Sequence, residues 1–366
     1  MLIMKVTICG CGNAGIAMAA DIAFLGFDVN LFEVPEFEKN LEPMKALGGV
    51  ELSGKTYSGK NGFAKLNKIT SNAKEAVDGS DVIFLTLPAQ HHKTVFEHLS
   101  AYLSEGQTVV ATTGYWASLR LRELIKEKGL DEKITFIEAN SFPYLSGNIG
   151  PAKAHIFNYK RHIPVSAFPA DKNEEKCKVV QKIYPQYSIY KNILETNLYP
   201  GNHSVHPQIT LPNAIFFFER AREFRFYSEL SQTAAKLADV FDEERIKVAS
   251  YFDCDTTDYV TACNKKYEYK GKDQYDLYLN TEHGERWGRI EGLYRVLIED
   301  LCYFFMPMES LAKMVGIAVP ITTAMIDIFK VFTGYDYRLN GITLKDLGIE
   351  GLSKKQIINY VNQGNI

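Results

Sequence analysis

The chain has 366 residues, with 44 acidic against 41 basic side chains and a formal net charge of −3 at pH 7. With 46% hydrophobic and 23% charged residues it can bury enough apolar surface to fold, which excludes a disordered chain, and its length suits two domains. The charge balance gives no basic patch for nucleic acid, and the apolar runs Ala17–Phe27 and Gly316–Phe332 are too short or too interrupted to span a bilayer.

The first half alternates strand-like and helix-like segments, the pattern of a parallel sheet with crossover helices. Lys5–Cys9 is a short β-branched run, and Ala14–Leu25 reads as a helix stopped by Gly26. Asp28–Val34 is a second strand. Asp81–Leu87 is a continuous apolar run, as a strand covered on both faces should be. Thr108–Thr112 and Ile134–Ile137 follow as strands, with a helix over Trp116–Lys128 between them. The second half reads as helices over Ala214–Tyr227, Leu230–Phe241, Glu243–Tyr251, Trp287–Phe305, Met308–Val315 and Ile321–Phe332. Ser353 and Gln356 have the spacing of a capping box for a last helix. The polar, tyrosine-rich stretch Asn264–Leu279 reads as an exposed excursion. The expected architecture is an α/β Rossmann-type dinucleotide-binding domain over residues 1–192 and a mostly α-helical substrate domain over 193–366.

Gly10-Cys11-Gly12-Asn13-Ala14-Gly15 matches the dinucleotide fingerprint in its required context, after a strand and opening a helix. Gly10 should allow the tight turn, Gly12 should let backbone approach a pyrophosphate, and Gly15 should let helix and strand pack closely. The helix N-terminus, with Asn13 and Ala14, supplies N–H groups and partial positive charge for phosphate. Glu33 closes the next strand 18 residues after Gly15, about where a carboxylate meets the ribose hydroxyls. Glu36 and Glu38 follow and no Arg is near, so a 2′-phosphate would meet like charge; NAD(H) is favoured over NADP(H). Thr86-Leu87-Pro88-Ala89 ends the third strand-like run, where this fold binds ligands, and Leu87 and Pro88 should line the cofactor site with Gln90 and Thr113-Gly114 nearby. His91 and His92 open a polar helix and read as structural.

A nicotinamide enzyme needs a proton donor and acceptor beside the carbon that exchanges hydride, and histidine suits this near neutral pH. Two stand in Asn202-His203-Ser204-Val205-His206-Pro207, just past the expected domain junction. Arg295 and Asp300 lie on a segment with an apolar helical face, about 140° apart around it. They could flank one pocket without pairing. Arg220, Arg222, Arg225 and Arg289 read as a solvated face.

With these residues in view, the sequence resembles the opine dehydrogenase family, the octopine and nopaline dehydrogenases and their bacterial relatives. The resemblance runs over nearly the whole chain. It rests on the N-terminal glycine fingerprint, Thr86-Leu87-Pro88-Ala89, the Asn202-xxx-His206-Pro207 box, and Arg295-xxx-Glu299-Asp300 followed by Tyr303, Pro307, Glu309 and Ser310-Leu311. It implies reductive condensation of a 2-oxo acid with the amino group of an amino acid. It also implies that His206 is the proton shuttle, that Asp300 orients and charges it, and that Arg295 binds a substrate carboxylate. Asn202 and His203 are assigned to the substrate side. Leu301-Cys302 stands where relatives often have Val-Pro, Val319 where Thr is usual, and His203 is an additional histidine.

Two other readings stay open at this stage. One is a 2-oxo acid or hydroxy acid reductase of the same two-domain superfamily, such as a ketopantoate reductase or glycerol-3-phosphate dehydrogenase, with Lys191 as its base. The other is a non-catalytic NAD-binding protein. The expected partners are small-molecule substrates, with the chain a monomer or homodimer. The cysteines at 9, 11, 177, 254, 263 and 302 form no Cys-x-x-Cys pair, so neither a disulfide framework nor a metal site is expected. No charged n-region followed by an apolar core and a small-residue cleavage site is seen, so a cytoplasmic location is expected.

Overall fold

The structure, a computed structural model, describes residues 3–220, 223–281 and 287–365. It divides into one unit running to Thr196 and including Val361–Gly364, and another over Asn197–Tyr360.

In the first unit, strands β1 (Lys5–Cys9), β2 (Asp28–Phe32), β3 (Gly49–Gly54), β4 (Gly62–Lys65), β5 (Lys68–Thr70), β6 (Val82–Leu85), β7 (Thr108–Ala111), β8 (Thr135–Ala139), β9 (Tyr144–Gly150), β10 (Lys153–Tyr159), β11 (Ile163–Phe168) and β12 (Tyr187–Ile189) form two sheets. The larger has the order β12-β11-β8-β7-β6-β1-β2-β5, and its strands are parallel except where β11 meets β8. From β5 to β8 this is the doubly wound dinucleotide-binding order, whose direction of winding reverses between β1 and β6. The expected strands all form, within a residue or two at their ends. Both faces of the sheet are covered, which is why β6 and β7 are apolar and buried throughout.

The smaller sheet, β4-β3-β10-β9, had no expected counterpart. It covers the Asn13–Phe24 helix on the side away from the large sheet, so that this helix is buried almost all round. Asp21, fully buried on that helix, accepts a hydrogen bond from the Tyr144 hydroxyl of β9, and its other oxygen accepts the Ser58 N–H at 3.1 Å. These partners account for a carboxylate in an otherwise apolar helix. The tail returns to the first unit. Ala170 N–H donates to Val361 O at 3.1 Å, Asp171 N–H to Asn362 O at 2.8 Å, and Arg122 to Gly364 O at 2.8 Å.

The second unit is mostly helical. One helix, Gln232–Tyr251, replaces the two expected over Leu230–Tyr251. Its Glu244 is buried and receives the N–H groups of Ile321 and Thr322 at 2.8 and 2.9 Å, capping the Pro320–Thr333 helix. The Ser353–Gln356 capping box forms as spaced, with Ser353 N–H donating to Gln356 Oε1 at 3.0 Å. The helix expected over Trp287–Phe305 starts only at Ile290, after a strand over Trp287–Arg289, and gives way to a wide turn at Leu301. Two further expectations fail. Ala214–Tyr227 is no continuous helix: one wide turn over Phe216–Arg220 leads to a strand, β13 (Glu223–Arg225), paired antiparallel with β14 (Trp287–Arg289). Arg222 lies outside the described residues. Asn264–Leu279 is no exposed excursion either. It forms most of a helical hairpin, Tyr259–Tyr267 and Gln274–Leu279, closed by Asn264 bonding both backbone groups of Gly271 at 2.8 and 2.9 Å. Its Tyr259 and Tyr278 are buried with their hydroxyls bonded to each other, so the polar tips of an apparently polar segment satisfy one another inside.

Candidate active site

The cofactor end of the first unit is built from the turn after β1. Gly10 adopts φ +105°, a conformation that favours glycine. A Cβ on Gly15 would collide with the Gly10 carbonyl oxygen and lie 2.7 Å from Thr86 Oγ1. Thr86 donates its hydroxyl to Cys9 O at 2.8 Å, tying the end of β6 to the glycine turn. Over Gly12 the situation is opposite. A Cβ there would meet nothing within 4 Å, and no side chain caps the Asn13–Phe24 helix. An open approach onto an uncapped helix N-terminus fits a pyrophosphate. Asn13 faces the small sheet, its Oδ1 accepting the Asn148 N–H at 3.2 Å, and Ala14 is half-buried beside it.

Glu33 follows directly on β2. Its Oε2 accepts the Cys11 N–H at 3.1 Å and the Cys11 thiol at 3.0 Å, and its Oε1 accepts the Val34 N–H at 3.1 Å. A carboxylate has about four acceptor positions, so capacity remains for a ribose hydroxyl. Burial and this carboxylate push the Cys11 thiol pKa far up, keeping it a thiol. Leu87 is buried and Pro88 half-buried at the end of β6. His92 is fully buried, with Nε2 3.1 Å from Leu87 O, and burial lowers its pKa to about 3. It is a neutral brace for the Thr86–Pro88 bend.

In the second unit, Pro207 in the first turn of a short helix, His206–Thr210, presets the backbone just after His206. Opposite stands the Ile290–Asp300 helix, with Asp300 its last residue before a wide turn over Leu301–Phe305, where Met306 N–H reaches back to Leu301 O. Pro307 has no N–H to give the Tyr303 carbonyl, which accounts for the local widening. His206 Nδ1 lies 3.0 Å from Asp300 Oδ2, and their side chains are 9% and 1% exposed. A carboxylate only accepts, so Nδ1 carries a proton and Nε2 is left as the reactive nitrogen.

Arg295 is on the same helix but exposed, with its guanidinium 3.7 Å from the buried Glu299. It is a cation held at the surface, able to meet a carboxylate arriving from outside. Asn202 is exposed on the turn that precedes His206. His203 departs from its expected substrate contact: its ring lies face to face with Phe304 at 3.4 Å and is almost wholly buried, which drives its pKa well below the ordinary range. It is a neutral packing group behind His206. Lys191, the base of the alternative reductase reading, is on the first unit, exposed, 3.5 Å from Glu195. The residue not anticipated is Tyr227, whose hydroxyl lies 3.1 Å from His206 Nε2.

Among the described residues no helix is long and apolar enough to cross a membrane. All six cysteines are buried and none is in a disulfide.

Residues 189–333 match the family described as NAD/NADP octopine/nopaline dehydrogenase, alpha-helical domain, and residues 5–115 match that of NADP oxidoreductase, coenzyme F420-dependent. The chain is 27% identical to an opine dehydrogenase of Arthrobacter sp. (strain 1C) over 360 residues, covering 97% of this chain and 98% of that one. Its fold is similar to that of an octopine dehydrogenase solved with NADH and L-arginine, with TM-score 0.76 and 19% identity over 97% of this chain and 98% of that one. It is also similar to a yersinopine dehydrogenase solved with NADP+ bound, with TM-score 0.69 and 16% identity over 99% and 98% of the two chains.

Proposed function

The chain belongs to the opine dehydrogenase family, and on that premise we propose that it condenses a 2-oxo acid such as pyruvate with the amino group of an amino acid, reduces the imine with NAD(P)H, and runs the reverse oxidation. The observation that carries this reading is the buried His206–Asp300 pair at 3.0 Å. A non-catalytic nucleotide binder has no use for it.

NAD(H) is the favoured cofactor, because Glu33 stands where a 2′-phosphate would meet its charge. When bound, it supplies the hydride. Gly10, Gly12 and Gly15 shape the turn for its pyrophosphate, the helix start at Asn13 and Ala14 offers N–H groups, Glu33 takes a ribose hydroxyl, and Leu87 and Pro88 bound the nicotinamide side.

The protein's own residues manage protons and orientation. Arg295 holds a substrate carboxylate, best as a bidentate pair, with Asn202 on the same substrate side. His206 takes a proton from the amino acid's ammonium so that its lone pair can attack the carbonyl carbon. The adduct's nitrogen gives one proton to the carbonyl oxygen, His206 returns the other to the hydroxyl so formed, which leaves as water, and the iminium left behind accepts the hydride. Asp300 keeps Nδ1 protonated and supports the imidazolium in its buried setting. Localisation in the cytoplasm and a monomeric or homodimeric state complete this reading.

The test is a matrix of 2-oxo acids against amino acids, read by NADH absorbance with mass spectrometry of the product. Oxidation of NADH that requires both partners and yields the secondary amine supports the proposal. Oxidation by a 2-oxo acid alone, with a hydroxy acid as product, replaces it with the simple reductase.

A further inference from the structure

We propose that the Tyr227 hydroxyl is the outer end of the proton-transfer chain, standing between His206 and the substrate and passing each proton that His206 takes or gives. The proposal rests on the condensation chemistry above and adds a catalytic residue to it.

The hydrogen-bond polarity is fixed from the buried end. Asp300 accepts from Nδ1, so in the neutral imidazole Nε2 is an acceptor, and the hydroxyl 3.1 Å away donates to it. When His206 takes a second proton, Nε2–H must donate and the same oxygen must accept. A phenol does both without moving, and no other hydroxyl is bonded to that nitrogen among the described residues. Exposure follows the same order: Asp300 is 1% exposed, His206 7%, and Tyr227 half-buried. Tyr227 is thus the most exposed member of the chain that runs from Asp300 through His206.

The ring is also held in place. It stacks on Tyr278 at 4.9 Å and 21°, and Tyr278 is anchored through its hydroxyl to Tyr259. Phe226 lies edge-on to His206 at 5.6 Å and to Tyr227 at 5.2 Å. A ring so braced is suited to relaying protons from a fixed point. Among the described residues, the titratable groups bonded to His206 are Asp300 from the Ile290–Asp300 helix and Tyr227 itself, and the buried neutral His203 on the preceding turn acts on it electrostatically.

The relay balances. As the C–O bond of the carbinolamine breaks, its electron pair leaves with the oxygen, which takes the Tyr227 proton and departs as water. The Tyr227 oxygen takes the Nε2 proton at the same time, and the nitrogen lone pair forms the C=N bond. Tyr227 ends as it began, and His206 is neutral again. Deprotonation of the incoming ammonium is the same transfer in reverse.

The experiment compares wild type with Tyr227→Phe, first matched by Tm. For the substrate pair found in the matrix, we expect kcat to fall about 100-fold, the low end for general acid–base catalysis, with both KM values changed by less than about threefold. The rate in H2O/D2O mixtures should be bowed for wild type, as two protons move together, and linear for the variant. The pH profile should shift to lower pH in the variant, because a charge-assisted bond to the imidazolium is worth more than the neutral bond it replaces. A kcat within about threefold of wild type with an unchanged isotope profile overturns the proposal. Nitrogen-15 spectra of His206 give an independent reading on the wild type alone. A protonated Nδ1 and a hydrogen-bonded, unprotonated Nε2 support it, and the opposite tautomer overturns it. A wild type that turns over no pair overturns the condensation reading instead, and the spectra then decide the Tyr227–His206 assignment alone.

Discussion

Cys11 gives Glu33 two hydrogen bonds, one from its backbone N–H at 3.1 Å and one from its thiol at 3.0 Å, both to Oε2. The acidic end of β2 and the glycine turn after β1 are thereby fastened to one another. Glu33→Gln keeps the size of the side chain and removes its charge. We expect the NADH Kd to rise about tenfold, or ~1.4 kcal/mol, while the NADPH Kd falls. Fluorescence titration with both nucleotides measures this, and unchanged discrimination would rule out Glu33 as the selecting group.

The fingerprint glycines should fail in different ways. Gly15→Ala puts a methyl group against the Gly10 carbonyl oxygen, and backbone cannot step aside cheaply, so a loss of about 3 kcal/mol or an insoluble chain is expected. Gly12→Ala meets nothing within 4 Å, so its Tm should stay within about 2 °C of wild type while NADH binding weakens about tenfold or more. Thermal melts paired with binding isotherms separate the two.

Asp300→Asn preserves shape but cannot hold the same imidazole tautomer, and kcat should fall about 10³-fold with the fold intact. His206→Ala removes the partner of a buried carboxylate and should cost about 3 kcal/mol of stability as well as activity. Steady-state kinetics beside urea unfolding distinguishes them. Equal stability for both variants would mean that the pair is not buried in solution.

His92 is neutral in the folded chain down to about pH 3, yet an unfolded histidine takes a proton below about pH 6.5. Between those values the unfolded state binds more protons, so stability falls as pH falls, by about 1.4 kcal/mol per pH unit for this group. His203, also held neutral by burial, adds a slope of the same sign. Urea midpoints from pH 7 to pH 4 should show this decline, and His92→Gln should be flatter across that window than wild type.

Much of the first unit could be read directly from the sequence because its signals are local. A β-branched run, a glycine turn and an alanine-rich helix stand in order, and each fits only one period. The small sheet was not legible. β4 is exposed at three of its four positions, and β9 carries glycines at 147 and 150, so neither shows an apolar alternation. Ala214–Tyr227 looks helical by composition, but Glu223-Phe224-Arg225-Phe226 alternates exposed and buried side chains, the period of a strand. That alternation was the available signal for β13, which leads directly to Tyr227. Nothing local marks Tyr227 itself among 21 tyrosines, since its partner is fixed only by the tertiary fold. His206 and Asp300, 94 residues apart, were paired through a family pattern rather than through any spacing rule.

The return of the tail limits how this protein can be taken apart. Val361, Asn362 and Gly364 satisfy backbone and guanidinium donors at Ala170, Asp171 and Arg122, so a fragment cut after Thr196 would leave those donors without their acceptors. The nucleotide-binding half is therefore not an interchangeable module: grafting it onto another catalytic half requires carrying the final helical turn as a separate peptide or rejoining the ends by circular permutation.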